Sequence, residues 1–157
     1  MDLKSENVWD YPRPPACETH KGTIEVIIND KTLAKTKNAM RIIETSHPPT
    51  YYFPIENVKI EYLRKNSNTS FCEWKGIANY FDFKINKTNI TDVAWYYSNP
   101  SKKFLGIKNF VGFYASKADK CLVNGELVKK QEGDFYGGWI TKNLIGPFKG
   151  GSGTKGW

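Results

Sequence analysis

Apolar residues recur at every second position in short runs, and each run stops at a turn signal. A chain patterned this way can build strands but not long helices. In "GTIEVIINDKTLAKT" Ile24, Val26 and Ile28 fall on one face of an extended segment, and "NDKT" turns it into a second short strand. "TDVAWYY" puts Val93, Trp95 and Tyr97 on one face, and Asn124-Gly125 in "CLVNGELV" is a two-residue hairpin signal. "AMRIIE" is too short for a helix and its β-branched pair favours a strand. "VKIEYL" and "FVGFYA" read as further strands, "KNSNTS" as a polar turn, and "SNPSKKFLGIKN" as a connection with room for one helical turn. Five Trp, nine Tyr and nine Phe in 157 residues favour sheets and large packed contacts over a helical bundle. The expectation is an all-β fold of coiled antiparallel sheets with very little helix.

A length of 157 residues fits one domain spanning 1–157. Pro12, Pro14 and Pro15 hold an N-terminal arm (1–20) extended, with Trp9 and Tyr11 pinning it to the body. A glycine-rich tail (146–157) carries Phe148 and Trp157, which, with Phe135, Tyr136 and Trp139, read as anchors. "FCEWKGIANYFDFKI" sets Cys72 and Trp74 on one face and Ile77, Phe81 and Phe83 on the opposite parity. Both sets can meet one core only through a bulge or corner near Lys75-Gly76.

The net charge of +7 is nearly all lysine; Arg13, Arg41 and Arg64 are the only arginines. Phosphate and base recognition leans on the arginine fork, and the lysines are scattered, so the charge reads as a solvated surface and nucleic acid is disfavoured as a partner. No run approaches the ~20 apolar residues of a membrane span, and "MDLKSENVWD" has no signal-peptide core. A cytoplasmic protein is expected. Cys17, Cys72 and Cys121 form no C-x-x-C pair, so they read as free thiols; neither a metal site nor a cofactor is expected.

Three segments carry candidate chemistry. "ETSHPPTYYFP" holds one of only two histidines. Pro48 and Pro49 stiffen the chain after His47, so the imidazole is held at little ordering cost. Its reference pKa near ~6.5 suits proton transfer, and Glu44 could orient it; the plainer reading is a histidine bonded to backbone in a stiff turn. In "CEWKG", read as an extended strand, Glu73 and Lys75 share a face beside Cys72 and Trp74. The plainer reading there is a surface ion pair and an inert thiol. "GPFKGGSGTKGW" offers Lys149 and Lys155 on glycine-rich backbone, without P-loop spacing. His20 stands alone and reads as a surface residue.

Taken in order, "WDYPRPPACE", "ETSHPPTYYFP", "CEWKGIANYF", "AWYYSNP", "FVGFYA", "FYGGWIT" and "GPFKGGSGTKGW" resemble a bacterial family known as domain of unknown function 427, sometimes labelled nucleotidyltransferase-like. The resemblance implies a β-tent-like domain, the coiled-sheet architecture of the cereblon drug-binding domain and of one class of methionine sulfoxide reductase. Several members of that wider fold hold zinc through cysteine pairs, which this chain lacks. The family's recurrent positions map to Glu44, Ser46, His47, Pro48, Tyr52, Cys72, Glu73, Trp74, Lys75, Trp95, Trp139 and Lys149. The nucleotidyltransferase label finds no acidic D-x-D arrangement here to hold Mg²⁺. The leading expectation is therefore one aromatic-walled pocket for a small polar ligand. Trp74, Trp95 and Trp139 would form its walls. Glu44, Ser46, Tyr52, Cys72, Lys75 and Lys149 would orient the ligand, and His47 with Glu73 would be the proton-transfer pair if the protein is an enzyme. The rivals are a non-catalytic ligand-binding or regulatory module, and a nucleotidyltransferase-like or nucleic-acid-binding protein whose lysines track phosphate.

Overall fold

A computed structural model describes residues 4–133 and 135–157. Three sheets carry the architecture. The largest orders Val111–Phe113, Thr88–Tyr96, Gly76–Ile85 and Leu63–Cys72, all neighbours antiparallel. A second four-stranded sheet runs Glu126–Leu127, Lys120–Val123, Ile24–Ile28, Lys31–Thr36. A third pairs Ala16–His20, Ala39–Ile43 and Thr50–Tyr52. Two short pairs complete the set, one of them parallel, joining Glu6–Asn7 to Leu144–Ile145. Helical structure among the described residues is confined to 3₁₀ turns, the longest at Lys102–Ile107. No helix there is long and apolar enough to cross a membrane. The all-β expectation holds.

Turn chemistry placed the hairpins. Asn29 and Asp30 both take positive φ (53° and 59°), as do Asn124 and Gly125 (51° and 82°). That pair of left-handed residues is what a tight two-residue hairpin requires. "KNSNTS" is not a turn but part of the strand Leu63–Cys72. This strand lies at the sheet's edge, where polar side chains cost little. Asn66 Nδ2 donates to Asp82 (2.6 Å) and Asp92 (2.7 Å), tying the edge to the two strands behind it.

The long sheet is apolar on both faces. Phe81 and Phe83 join one cluster with Ile24, Leu33, Phe53 and Trp139. Ala78 and Trp95 join another with Ile42, Tyr52 and Tyr97. The parity change in "GIANYFDF" thus needs no slip at Lys75-Gly76, because the two sets serve two clusters. The register does shift, but farther along, between Phe81 and Phe83. There Asp92, at φ 53°, donates its N–H to Asp82 Oδ1. "CEWKG" is likewise not an extended strand. Residues 73–75 are the turn joining Cys72 to Gly76, which pair in register.

The arm is not uniformly extended, since Val8–Asp10 form a 3₁₀ turn and Ala16–His20 a strand. It is pinned by the tail. Trp9 Nε1 donates to the Pro147 carbonyl (2.8 Å), and Trp9 meets Trp157 edge-on at 5.3 Å. His20 is buried, not exposed, because the strand pairing turns its ring against Tyr51, 5.0 Å between centroids. Phe135, expected as an anchor, is 61% exposed.

The segment after Phe135 touches the long sheet only because it has no side chains there. A Cβ on Gly137 would lie 2.3 Å from the Trp95 ring, and one on Gly112 2.7 Å. Trp95 is buried and cannot step aside. Gly137→Ala should therefore destabilise by about 1–3 kcal/mol in urea titrations. Gly156→Ala, with open space around it, should be near neutral in the same titration.

Candidate functional site

The His-Pro-Pro loop is fastened from three directions. Ser46, at φ 72° and fully buried, donates its N–H to the Val8 carbonyl (3.0 Å) and accepts from the Lys149 N–H (2.8 Å). Pro49 accepts from the Trp139 N–H (2.8 Å), and the His47 N–H closes back on Glu44 (3.0 Å). Arm, tail and core therefore each hold one point of the loop. Proline stiffness is only part of what positions His47.

Gln131 decides the state of that imidazole. It is 2% exposed. Its Oε1 accepts the Gly138 N–H (3.1 Å) and its Nε2 donates to the Lys149 carbonyl (2.8 Å). Those two backbone groups leave one orientation of the amide, so Nε2 also donates to His47 Nδ1 (3.2 Å). Nδ1 is then an acceptor, and the neutral ring carries its proton on Nε2. That N–H points toward Glu44, whose Oε2 is 3.9 Å away. The Tyr136 ring meets the imidazole edge-on at 4.7 Å. Burial, reinforced by Lys149, Lys75 and Arg13, pushes the His47 pKa down to about 4. Burial raises the Glu44 carboxyl against the opposing pull of Lys75, Arg13 and Lys149.

The loop forms one wall of a cavity of about 100 Å³ between the third sheet and the second face of the long sheet. Since one water needs ~10–15 Å³ on this measure, there is room for several waters or a small ligand. Lys75 enters from the opposite side. Ser101 Oγ donates to the Trp74 carbonyl (2.6 Å) and Ser101 N–H to the Lys75 carbonyl (3.0 Å). With the turn held so, Lys75 lines the cavity while Glu73 is exposed. No carboxylate pairs with Lys75 among the described residues. Burial disfavours its charge, but the neighbouring Tyr52, Cys72 and Glu44 outweigh that and hold its pKa above the ordinary lysine value.

Of the residues singled out from sequence, Glu44, His47, Tyr52, Cys72, Lys75 and Trp95 meet around this cavity. Glu73 does not; its position as a possible partner of His47 is taken by Glu44, because the hairpin turn sends residues 73 and 75 to different sides. Trp139 is fully buried in the main core, its Nε1 donating to the Phe113 carbonyl (2.9 Å). Trp74 packs beside the second cluster without lining the cavity, and Ser46 is spent on backbone contacts. Lys149 sits behind the wall, its Nζ 5.3 Å from the Tyr136 ring centre. Sequence reading missed Gln131, Tyr136 and the lining phenols Tyr80, Tyr97 and Tyr114. "FYGGW" carried a signal for Tyr136, since paired glycines mark a close approach. Gln131 carried none. No group of three or more His, Cys, Asp or Glu side chains that could hold a metal ion occurs among the described residues.

A family model described as a domain of unknown function (DUF427) matches residues 16–124. The span includes Glu44, His47, Tyr52, Lys75 and Trp95, whereas Gln131 and Tyr136 lie beyond it. No curated protein matches the chain.

The depressed His47 pKa has a definite sign in stability. The unfolded chain protonates this ring near ~6.5 and the folded chain only near about 4. The neutral ring's contribution is complete above the unfolded value and is lost as pH falls from there toward 4; at full extent it is on the order of 3 kcal/mol. His20, lowered by burial and by Arg41, adds a slope of the same sign, so the comparison must be by difference. Urea unfolding from pH 7 to 4 should show a shallower loss in His47→Gln than in the parent. Nitrogen chemical shifts at pH 7 should show His47 protonated on Nε2 and bare on Nδ1.

Proposed function

The chain belongs to the DUF427 family, and we propose that it binds a small polar ligand in the cavity between His47 and Lys75. The observation carrying this reading is the convergence of a carboxylate, a neutral imidazole and an ammonium with no ion pair among the described residues on one hollow walled by Trp95 and Tyr136. Drawing charged and polar side chains out of water costs free energy that apolar packing would not. A fold that needed only stability would have packed the space with apolar side chains. A ligand recovers that cost by supplying the missing hydrogen bonds.

The site supports a catalytic version of this function as well. In it Glu44, its carboxyl raised by burial, is the proton-transfer group, and the neutral His47 orients it or the ligand by a hydrogen bond from Nε2–H. A binding or regulatory module would use the same two groups only for orientation. Glu44→Gln, which keeps the shape and removes the ionisable proton, separates the two versions. Turnover should collapse with little change in ligand affinity in the first case, whereas affinity alone should fall in the second.

The binding reading itself is tested by thermal-shift screening of the full chain against nucleotides, sugars and amino-acid derivatives. A ligand at a hundred times its Kd stabilises by ~2.7 kcal/mol. Ala78→Phe should abolish the shift, because Ala78 lines the cavity and its replacement fills it. The milder Ala78→Leu should reduce it. Equal binding to a folded Ala78→Phe would place the ligand elsewhere and overturn the proposal.

A further inference from the structure

The polar groups facing the cavity are unequally divided between donors and acceptors. Lys75 contributes an ammonium with three donors and no ion pair among the described residues. The Tyr52 hydroxyl is fully buried, accepting from the Trp95 indole N–H (3.3 Å) and the Thr50 hydroxyl (3.5 Å). Tyr97 lines the space, its ring centre 5.8 Å from the Lys75 Nζ, and burial pushes its phenol up, so it keeps its proton. His47 presents Nε2–H, because Gln131 occupies Nδ1. Against these donors stands one carboxylate among the described residues, Glu44, already shared with Arg13 at 4.0 Å and with His47 at 3.9 Å. Water alone would hydrate such a site, but a partner with concentrated negative charge would satisfy several donors together.

From this imbalance, and resting on the ligand-binding reading above, we infer that the occupant is a small organic carboxylate. Its oxygens sit on the Lys75 ammonium and the His47 Nε2–H, and its carbon portion lies against Trp95 and Tyr136. Three features select a carboxylate over a phosphate ester. No arginine lines the cavity among the described residues. The volume of about 100 Å³ suits a compact acid. The flat walls reward an apolar remainder rather than a second charge. Glu44 stands where it would accept from a hydroxyl or amino group on that remainder.

The test uses the full chain with formate, acetate and propionate, each against its neutral amide, at ionic strength matched with sodium chloride. Binding is followed by melting temperature and by NMR shifts of the cavity residues. The acids should bind at least tenfold more tightly than the amides. Lys75→Met keeps the aliphatic stem and removes the charge, and should erase that preference; Lys75→Arg should keep part of it. Circular dichroism and melting temperature of each variant report folding independently, and if Lys75→Met does not fold, the acid-to-amide ratio in the parent and in Lys75→Arg still decides. Amides binding as well as acids, or a folded Lys75→Met binding acids like the parent, would overturn the inference. If the amides also bind and Ala78→Phe abolishes them, the cavity reading survives while the anion inference falls. If neither series moves any cavity resonance, the anion inference falls, and a blank ligand screen alongside it removes the cavity reading too.

Discussion

The indole of Trp95 lies on the second face of the long sheet with a glycine backbone against it on either side, Gly112 from the neighbouring strand and Gly137 from the segment beyond residue 135. Its N–H rests on the Tyr52 hydroxyl. A ring this large can occupy the centre of a small domain only where the chain around it gives up side chains. Here that concession places the third sheet and the 135–138 segment at fixed distances from the long sheet. The cavity is the space left over. It exists because the indole holds these layers apart at one point, while the groups around it are too polar to close the gap.

Electrostatics then sorts the polar groups that line this space. Lys75, Lys149 and Arg13 all act on His47, and the ring is buried besides. In such a field an imidazolium is unaffordable, and the ring persists as a neutral donor. Gln131 completes the assignment through two backbone groups that tolerate only one orientation of its amide. The chemistry of the loop thus depends on a residue eighty-four positions away in sequence that never touches the proton in question.

Much of the fold could be read from the letters because it rests on local rules. Period-two alternation marked Ile24–Ile28 and Thr88–Tyr96, and Asn124-Gly125 marked its hairpin. Errors arose where a local pattern had two tertiary solutions. "CEWKG" alternates like a strand, yet Gly76 at φ 106° and two bonds from Ser101 make it a turn. "KNSNTS" has the composition of a turn, yet an edge strand accepts it. The parity change in "GIANYFDF" was taken for a slip because one core was assumed, whereas two clusters serve it. For the site, His47 and Lys75 stood out by rarity and context. The family resemblance points to Glu73 as the partner of His47, and the turn geometry gives that place to Glu44 instead. Trp139 shows the limit of composition: an indole suited to a pocket wall is equally suited to a core.

The two sides of the cavity are built by unlike means. Lys75 is delivered by a three-residue turn tied by two bonds from Ser101, at the end of a hairpin whose cross-strand neighbours Phe71 and Ile77 stand in solvent. Opposite it, Glu44 and His47 are held where arm, tail and core knot together. Insertions or exchanges in the turn can swap the charge offered there without disturbing the layers beneath, whereas almost any change across the way would propagate into the scaffold.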